Sequence, residues 1–364
     1  MRCQLISVLV ILFLFSACGS EVRQTESKIW ASVADTIMPE YATGFRILHS
    51  DQANTLELLD TSGQVAYSIH MENSAEPKRF ACLSTTHASM LLAIGMDSAI
   101  CGMAFADRVL DFTLKSAIDN GRIADLGDGS MSSMEKILKS QPDIYFVYPY
   151  GNEDYSRLES SGIQCVPISE YAESHPLGRA EWVLFFGVMS GKLEEAQMYF
   201  SDVEDAYNET LERASLVEYK PEVFTGSSYQ SEWYAPSGES LIARFIEDAG
   251  AQYSFKTLKG HDNLQIEFEV LLSYANDADY WGEVLYEQGK PEIKRILQAE
   301  PRLANFKAFQ KGGTGVFYCN AYETDYFGDG VLRPDVILAD LFAIFHPELS
   351  IDYQPTYFKK LAGE

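Results

Sequence analysis

Residues 191–215 read GKLEEAQMYFSDVEDAYNETLERAS, and no proline interrupts the chain from there until Pro221. Apolar or small side chains recur in this stretch at steps of three and four residues, at Ala196, Tyr199, Val203, Ala206, Thr210 and Ala214. Because an α-helix turns once every ~3.6 residues, this spacing forms one stripe over about five turns, while Glu, Asp and Asn fill the other faces. The stretch predicts one long amphipathic helix, and the segments on either side of it decide the fold.

The segment before this helix alternates short apolar strands with helices. Phe80 to Leu83 predicts a strand, Ser84-Thr85-Thr86 supplies a helix N-cap, and Gly95 ends the helix from His87 to Ile94. The alternation continues with predicted strands at 99–103, 143–148 and 164–168 and helices at 132–138 and 154–161. This order is typical of parallel sheets with right-handed crossovers. Residues 40–78 alternate apolar and polar side chains between turn residues, which predicts a small β-meander ahead of the lobe.

The segment after the helix predicts a second lobe of the same class. Its predicted strands lie at 222–225, 278–281 and 316–319, its helices at 241–249, 266–274, 292–298 and 331–345, and an aromatic loop at 226–238. The fold class is therefore α/β, with two Rossmann-like α/β lobes joined by one long backbone helix and an N-terminal β-meander. Because a single rigid helix permits only small motions of the lobes, we expect a largely pre-formed cleft between them.

The predicted division of the chain follows from these patterns. Its boundaries are 1–17 for a lipoprotein signal peptide, 18–39 for a tether, 40–185 for the meander and first lobe, 186–219 for the linking helix, and 220–364 for the second lobe. The two lobes share one short sequence similarity. Glu135-Lys136-Ile137-Leu138 precedes Pro142-Asp143, and Glu269-Val270-Leu271-Leu272 precedes Ala278-Asp279 with an offset of two residues. A single similarity of this kind suggests that the two lobes are related structural units.

The first residues predict export and lipidation. Arg2 is followed by an apolar stretch from Leu5 to Phe15, which is shorter than the roughly 20 apolar residues of a membrane span. The stretch ends Phe15-Ser16-Ala17-Cys18, which resembles a bacterial lipobox with Cys18 as the lipidated residue; the alternative is an ordinary cleaved signal. We therefore expect a lipid-anchored protein of the cell envelope that faces the periplasm or the cell exterior, with the small and polar residues 19–27 as a flexible tether.

Composition limits the partners and the chemistry. The 364 residues carry a formal net charge of −25, and no basic patch is dense enough to bind phosphates, so we expect no nucleic-acid partner. Beyond Cys3 and Cys18, four cysteines remain, at Cys82, Cys101, Cys165 and Cys319. Most lie in or beside apolar, strand-like runs, which favours buried free thiols, although the sequence leaves open whether any two of them pair.

Several short motifs follow one another along both lobes. They are Leu83-Ser84-Thr85-Thr86-His87-Ala88, Asp125-Leu126-Gly127-Asp128-Gly129, Ser133-Met134-Glu135-Lys136-Ile137-Leu138 with Gln141-Pro142-Asp143, His175-Pro176-Leu177-Gly178-Arg179-Ala180-Glu181-Trp182, Trp233-Tyr234-Ala235-Pro236-Ser237-Gly238-Glu239-Ser240, Leu332-Arg333-Pro334-Asp335 and His346-Pro347-Glu348-Leu349. In their order and spacing, these motifs resemble the ferric-siderophore and vitamin B12 substrate-binding proteins of ABC importers. The resemblance covers about residues 75–350 and implies two lobes joined by a long helix. It also implies a monomer without covalent cofactor, which delivers an iron–siderophore or corrinoid- or haem-type chelate to permease subunits.

The resemblance implies a ligand cleft lined by loops at the strand ends, and those loops are rich in aromatic residues. The candidates are Phe105, Tyr148, Tyr150, Tyr229, Trp233, Tyr234, Tyr322, Tyr326 and Phe327. Flat rings suit a large, partly apolar metal complex, and phenol hydroxyls suit its polar rim. Arg179, followed by Arg108, Arg244 and Arg333, is the candidate to pair with an anionic ligand, because guanidinium matches carboxylate or catecholate oxygens. For Arg179 the alternative is a structural pair with Glu181 or with a backbone carbonyl.

The resemblance also implies that one acidic residue at the crown of each lobe docks on arginines of the permease. By position in the motifs, Glu135 is the match in the first lobe and Glu247 in the second, with Glu239 as the runner-up. For Glu135 the alternative is a purely local interaction with a helix N-terminus.

Two other functions stay open at this point. The first is a cell-surface enzyme, such as a hydrolase on α/β lobes, although the sequence has no GxSxG elbow and no P-loop, and the GxG at Gly127–Gly129 lacks a third glycine. The second is direct binding of a bare divalent metal by histidines such as His87, His175 and His261, although no HxH or HExxH spacing is present. For His87 a helix-start or core role is favoured over metal binding.

Overall fold

A computed structural model describes residues 32–33, 36–49, 53–72, 78–129, 133–149, 154–230, 232–310 and 314–361. Cys18, the predicted signal peptide and Tyr150 lie outside the described residues. The first five strands form one antiparallel sheet in chain order: β1 Ser32–Val33, β2 Thr36–Ile37, β3 Phe45–His49, β4 Ala53–Leu59 and β5 Val65–Glu72. The predicted β-meander is confirmed, and its sheet begins at Ser32, within the segment that the sequence assigns to the tether.

The first lobe has a five-stranded sheet in the order β10-β9-β6-β7-β8, with every neighbouring pair parallel. Its strands are β6 Phe80–Cys82, β7 Ile100–Met103, β8 Ala124–Asp125, β9 Ile144–Val147 and β10 Gln164–Pro167. Its helices are α1 Thr85–Ala93, α2 Phe112–Asp119, α3 Met134–Ser140, α4 Ser156–Glu159, α5 Pro176–Glu181 and α6 Val183–Ser190. As predicted, the Ser84 side chain caps α1, where it accepts from the Thr86 N–H.

The long helix between the lobes is α7, Leu193–Ser215. It begins at Leu193 because Gly191, in the left-handed region at φ 71°, ends α6. The buried face is close to the predicted stripe, with Tyr207 among its members. The Tyr207 hydroxyl donates to Asp248 of the second lobe at 2.7 Å, and the Tyr41 hydroxyl donates to Glu204 at 2.7 Å. Helix α7 is thereby tied to the second lobe and to the segment that leads into the meander.

The second lobe has a five-stranded sheet in the order β14-β11-β16-β17-β18 and a smaller antiparallel sheet in the order β12-β13-β15. Its strands are β11 Glu222–Thr225, β12 Ser227–Tyr229, β13 Glu232–Pro236, β14 Gln252–Tyr253, β15 Asn263–Ile266, β16 Tyr280–Leu285, β17 Val316–Asn320 and β18 Phe358–Lys360. Its helices are α8 Leu241–Asp248, α9 Phe268–Ala275, α10 Ile293–Ala299, α11 Asp329–Leu332 and α12 Pro334–Phe345. The predicted closing helix is thus two helices, separated at Arg333 before Pro334.

The segment predicted as an aromatic loop, 226–238, instead carries strands β12 and β13. The prediction was wrong because Trp233 and Ala235 are buried while their neighbours are partly exposed, and this period of two belongs to a half-buried strand. The paired strands fix the directions in which the aromatic side chains of this segment point.

Four parallel strands of each five-stranded sheet share one topology, although β8 of the first sheet and the antiparallel β18 of the second have no counterpart. A central strand, β6 or β11, is flanked on one side by the next strand along the chain, β7 or β14. On its other side lie β9 and β10 in the first lobe and β16 and β17 in the second. Helices α1 and α8 follow the central strands, and α3 and α9 precede β9 and β16. Helices α3 and α9 therefore occupy equivalent places in the two lobes.

A buried carboxylate fastens the start of the meander to the first lobe. Glu181 of α5 is fully buried and accepts the backbone N–H groups of Glu40, Tyr41 and Ala42 at 2.7, 2.8 and 2.7 Å. Glu173 accepts the next two N–H groups of the chain in the same way. Donors in such a buried segment need acceptors, so these carboxylates serve the fold. In the described part of the chain, no helix combines the length and hydropathy needed to cross a membrane.

Candidate ligand-binding cleft

A cavity of about 600 Å³ lies between the two lobes. The first lobe contributes the segment after β10, with Tyr171, Pro176 and Arg179, while the second lobe contributes Tyr326 and Phe327 from the loop after β17. Both loops follow the carboxyl ends of parallel strands, where ligands of open α/β sheets bind. The volume lies within the range of sites for small molecules of drug or cofactor size.

A second cavity, of about 330 Å³, extends from this cleft into the second lobe. The two cavities share several lining residues, among them Pro236, Phe245 and Tyr326. The smaller cavity lies over the carboxyl ends of β11 and β16 and is lined mainly by apolar side chains. The cleft therefore has a wide interlobe part and a narrower arm inside the second lobe.

Arg179 is the predicted arginine that lines the wide part of the cleft. Helix α5 positions it, with His175 as N-cap and Pro176 in the first turn. One guanidinium N–H group donates to the Tyr171 carbonyl at 2.5 Å, while the buried Nε has no hydrogen-bond partner among the described residues. The residue as a whole is only partly buried, so its guanidinium group brings a positive charge to the wall of the cavity. Arg179 can therefore serve as the cation of the cleft.

Two other candidate arginines already have carboxylate partners. Arg244 donates to Asp248 at 2.7 Å, and Arg333 donates twice to Asp335, at 3.0 and 2.9 Å. These pairs are internal to α8 and to the start of α12. Arg179 is thus better placed than either of them to bind a ligand.

Three of the predicted aromatic residues line the cleft. Tyr326 lines both cavities, Tyr234 the smaller one and Phe327 the larger one. Burial raises the pKa of the Tyr326 phenol, so its hydroxyl stays protonated at neutral pH and remains a hydrogen-bond donor. These rings give the cleft flat apolar surfaces with polar edges.

A second cluster of predicted residues lies where the lobes face each other outside these cavities. The Arg108 guanidinium lies 4.6 Å from the Phe105 ring centroid and 5.8 Å from that of Tyr286, in the second lobe. The Tyr286 and Tyr322 rings are 5.5 Å apart. The Phe105 ring also packs against Gly129, where an added Cβ would lie 2.6 Å from it. Arg108 thus contacts aromatic rings of both lobes.

Other predicted aromatic residues lie away from the cavities. Trp233 is only 1% exposed and donates from its indole N–H to the Thr225 carbonyl at 3.1 Å, so it is part of the core of the second lobe. Tyr229 is 63% exposed on β12. The Tyr148 hydroxyl donates to Glu170 at 3.2 Å within the first lobe. Alternation along β13 explains the burial of Trp233, because its neighbour Tyr234 takes the other face.

The histidines are dispersed. His87 is fully buried, and its Nε2 lies 3.9 Å from a Glu170 carboxylate oxygen. His175 caps α5, and the His261 ring contacts the Glu239 carbonyl at 3.0 Å. Within the described ranges, no cluster of three or more His, Cys, Asp or Glu side chains has the arrangement of a metal site.

A sequence model described as periplasmic binding protein matches residues 81–320, which span both lobes and the helix between them. The chain belongs to the periplasmic binding protein family. An uncharacterized lipoprotein of Methanocaldococcus jannaschii is 29% identical over an alignment of 299 residues that covers 78% of this chain and 68% of that protein. The predicted resemblance to binding proteins of importers is confirmed at the level of the family.

Solved structures of periplasmic binding proteins have the same fold. A periplasmic binding protein of Veillonella parvula matches with a TM-score of 0.61 at 16% identity, covering 81% of this chain and 98% of that one. A periplasmic heme-binding protein of Pseudomonas aeruginosa matches with a TM-score of 0.60 at 16% identity, covering 79% of this chain and 99% of that one. The two-lobe fold predicted from the sequence is confirmed.

The predicted docking acids of this periplasmic binding protein differ in their surroundings. Glu135 is exposed as the second residue of α3, whose N-cap is Ser133. Glu247 lies in the last turn of α8 and pairs with Lys256 at 2.5 Å. Glu239, the runner-up, pairs with Lys259 at 2.9 Å. Of these three acids, Glu135 is the one within the first turn of a helix, whereas Glu239 immediately precedes the Ser240 cap of α8.

Sequence reasoning missed a closer counterpart of Glu135. Glu269 is the second residue of α9, and it is exposed as Glu135 is on α3. Two residues later, Ile137 and Leu271 are both buried, so the two helices present the same face to their lobes. The short sequence similarity between the segments that begin at Glu135 and Glu269 was the signal that could have identified Glu269.

Proposed function

We propose that this protein is the substrate-binding lipoprotein of an ABC importer and captures an iron chelate, of siderophore or haem type, in the interlobe cleft. The observation that carries the proposal is the cavity of about 600 Å³, with aromatic walls and Arg179 as its cation. A preformed cavity with apolar rings and few polar groups suits a bulky, rigid ligand. A guanidinium group on the cavity wall suits the anionic oxygens of a chelate.

Support for an iron-containing ligand comes from the names of solved proteins that have the same fold. Periplasmic heme-binding proteins of Pseudomonas aeruginosa and Vibrio cholerae share the fold at 16% identity. At 16% identity, this protein and the heme-binding proteins share only their fold. The ligand of this protein must therefore be inferred from the chemistry of its own cleft.

The remaining parts of the proposal are attachment and delivery. Cys18 is the proposed site of lipidation, and the lipoprotein name of the Methanocaldococcus jannaschii relative supports it. Glu135 and Glu269 are the proposed contacts for two permease subunits. An importer with two similar permease halves offers two similar basic pockets, and two acids at equivalent positions of two lobes match that symmetry.

A ligand panel tests the proposal. The full chain, purified in detergent, is titrated with haem, a ferric trihydroxamate, a ferric tricatecholate, cobalamin, and iron, zinc or manganese salts alone, with intrinsic fluorescence as the readout. Native mass spectrometry of protein purified from its own host gives the mass of any carried ligand. We expect a one-to-one complex with one class of iron chelate. Uptake of bare metal without a chelate, or turnover of an ester panel that one nucleophile substitution abolishes, would contradict the proposal.

A further inference from the structure

The smaller cavity contains one acidic side chain among apolar ones. Glu283 of β16 is the one charged residue among the described residues that line it. Most of the wall is apolar, with Ile242, Ile246, Val284 and Leu341 among its members. This carboxyl group therefore lies in an arm of the cleft where, in the part of the chain that the structure describes, none of the lining side chains is a cation.

The neighbouring glycine forms part of the floor of this arm. The Phe317 ring of β17 packs over Gly282 so closely that an added Cβ would lie 2.1 Å from it. Phe317 also lines the cavity. Only a residue without a side chain allows the ring to lie flat on the strand beside Glu283. The close contact leaves the Phe317 ring as part of the apolar wall of the arm.

The polar residues Thr225, Ser227 and Asn263 that also line this arm are neutral. Burial raises the pKa of the Glu283 carboxyl to about 7, and the nearby charge of Glu287 adds to this, while a hydrogen bond with Ser227 opposes it. Glu287 itself pairs with Arg295 at 2.7 Å. The other titratable side chains along the cavity are the phenols of Tyr234 and Tyr326. No cation among the cavity-lining residues is paired with the Glu283 carboxylate.

An ionised carboxylate in an apolar cavity is costly unless a partner shares its charge or donates hydrogen bonds. A ligand that enters the arm can bring that partner. Arg179, on the other side of the cleft, suits the opposite charge, so the cleft has an anion-binding wall and a cation-binding arm. This reasoning rests on the proposed function, in which the chelate core occupies the wide part of the cleft.

We propose that the arm is a specificity pocket for an aliphatic chain that ends in an amine cation, and that Glu283 binds this ammonium group. The ligand is then a chelate with a pendant alkylammonium side arm, whose methylene groups contact the apolar walls. Among chelates with the same core, those with the free amine bind more tightly than those whose amine is acylated.

A fragment of the size of the arm tests this directly. Binding of n-pentylammonium, 1-pentanol and pentanoate to the full chain is measured by ligand-observed NMR. At about pH 8, where Glu283 is mostly ionised, we expect pentylammonium to bind about tenfold more tightly than pentanol, and pentanoate more weakly than pentanol. The preference should decline towards about pH 6, because a carboxyl group with a raised pKa is neutral below that pKa.

Two isosteric variants complete the test. Glu283→Gln should remove the preference for pentylammonium while pentanol still binds, and Glu287→Gln, four residues along and paired with Arg295, should keep it. Equal binding of pentylammonium and pentanol to the unmodified protein, or an unchanged preference in Glu283→Gln, would overturn the inference. If Glu283→Gln loses pentanol binding too, the three-fragment comparison on the unmodified protein decides alone.

The fragments contain no metal or chelating group, so the result is independent of the chelate panel. A protein that binds pentylammonium through Glu283 but no iron chelate would contradict the proposed function and leave the pocket assignment standing. A protein that binds a chelate without preference for a free amine, and binds pentylammonium no better than pentanol, would contradict the pocket assignment and leave the proposed function standing.

Discussion

The Thr86 hydroxyl of the first lobe donates a 2.6 Å hydrogen bond to the Phe327 carbonyl of the second lobe. Thr86 is buried in the first turn of α1, which Ser84 caps, so the position of its hydroxyl is fixed by the start of the helix. Phe327 follows Tyr326 in the loop that lines the cleft. The bond connects the two lobes directly beside the ligand cavity, independently of α7.

Removing this hydroxyl should loosen the contact between the lobes. We expect Thr86→Val, which keeps the shape of the side chain, to lower the free energy of unfolding by about 0.5–1.5 kcal/mol, because it leaves a partly buried carbonyl without that donor. Denaturant unfolding of the purified protein measures the change. Thr85→Val, one residue earlier in the same turn, is the matched control. Equal stability of both variants would mean that the bond does not hold the lobes together in solution.

Arg179 should control affinity for an anionic chelate. We expect Arg179→Met to weaken binding of the chelate identified in the panel by about tenfold or more, because the ligand loses a charge-assisted hydrogen bond. Affinity of the unmodified protein should also fall as salt is added. Fluorescence titration gives both results, with Arg157→Met on the exposed surface of α4 as the control. Unchanged affinity in Arg179→Met would remove this arginine from the site.

The four remaining cysteines should be inert in the folded protein. All four are buried and free, as the sequence predicts. Burial raises the pKa of each thiol, to about 12 for Cys165 and Cys319, and the thiolate is the reactive form. In a chain with Cys3 and Cys18 changed to serine, we expect negligible labelling by a thiol reagent at neutral pH, and four labelled sites after denaturation. Rapid labelling before denaturation would show that the core opens readily.

The fold could be predicted from local patterns, because helix caps and the periodicity of apolar residues involve residues that are close together in the sequence. The Ser84 cap and the Gly95 and Gly191 ends fixed the positions of α1 and α7. The assignment of 226–238 as a loop shows the limit of such patterns. Strand β12 pairs locally with β13, but β13 also pairs with β15, about thirty residues further along, and pairing at that distance leaves little local signal.

The site was harder to predict than the fold. Whether a residue lines the cleft depends on which face of its helix or strand is turned towards the cleft. Tyr234 lines the cavity while its neighbour Trp233 lies in the core, a difference of one residue along a strand. Glu283 has no motif that distinguishes it from any other acid on a strand. Its environment comes from Gly282, Phe317 and helix α12, which only the folded chain brings together.

Lipidation at Cys18 is testable without structural information on that segment. We expect Cys18→Ser to abolish lipid attachment, so that the chain stays uncleaved at this site or is released in soluble form. Membrane fractionation with metabolic lipid labelling measures the outcome, and Cys3→Ser is the matched control. A Cys18→Ser chain that is still trimmed and lipid-labelled would contradict the lipobox prediction.

Glu135 and Glu269 should act in delivery and leave ligand capture unchanged. Each is exposed at the second position of a helix, α3 or α9, that begins at the strand-end edge of its lobe. We expect Glu135→Gln and Glu269→Gln to keep ligand affinity within about twofold and to impair uptake, with a larger loss in the double variant, because each remaining contact still orients the complex.

Growth on the bound chelate as sole iron source, beside affinities of the purified variants, separates delivery from capture. Glu247→Gln is the comparison, since the sequence favours Glu247 but its carboxylate pairs with Lys256. Docking through rim charges should also weaken as salt rises, since charges are screened over about 8–10 Å at physiological ionic strength. If Glu247→Gln impairs uptake and Glu269→Gln does not, the assignment by lobe symmetry is wrong. If the double variant of Glu135 and Glu269 loses ligand binding, both acids belong to the cleft.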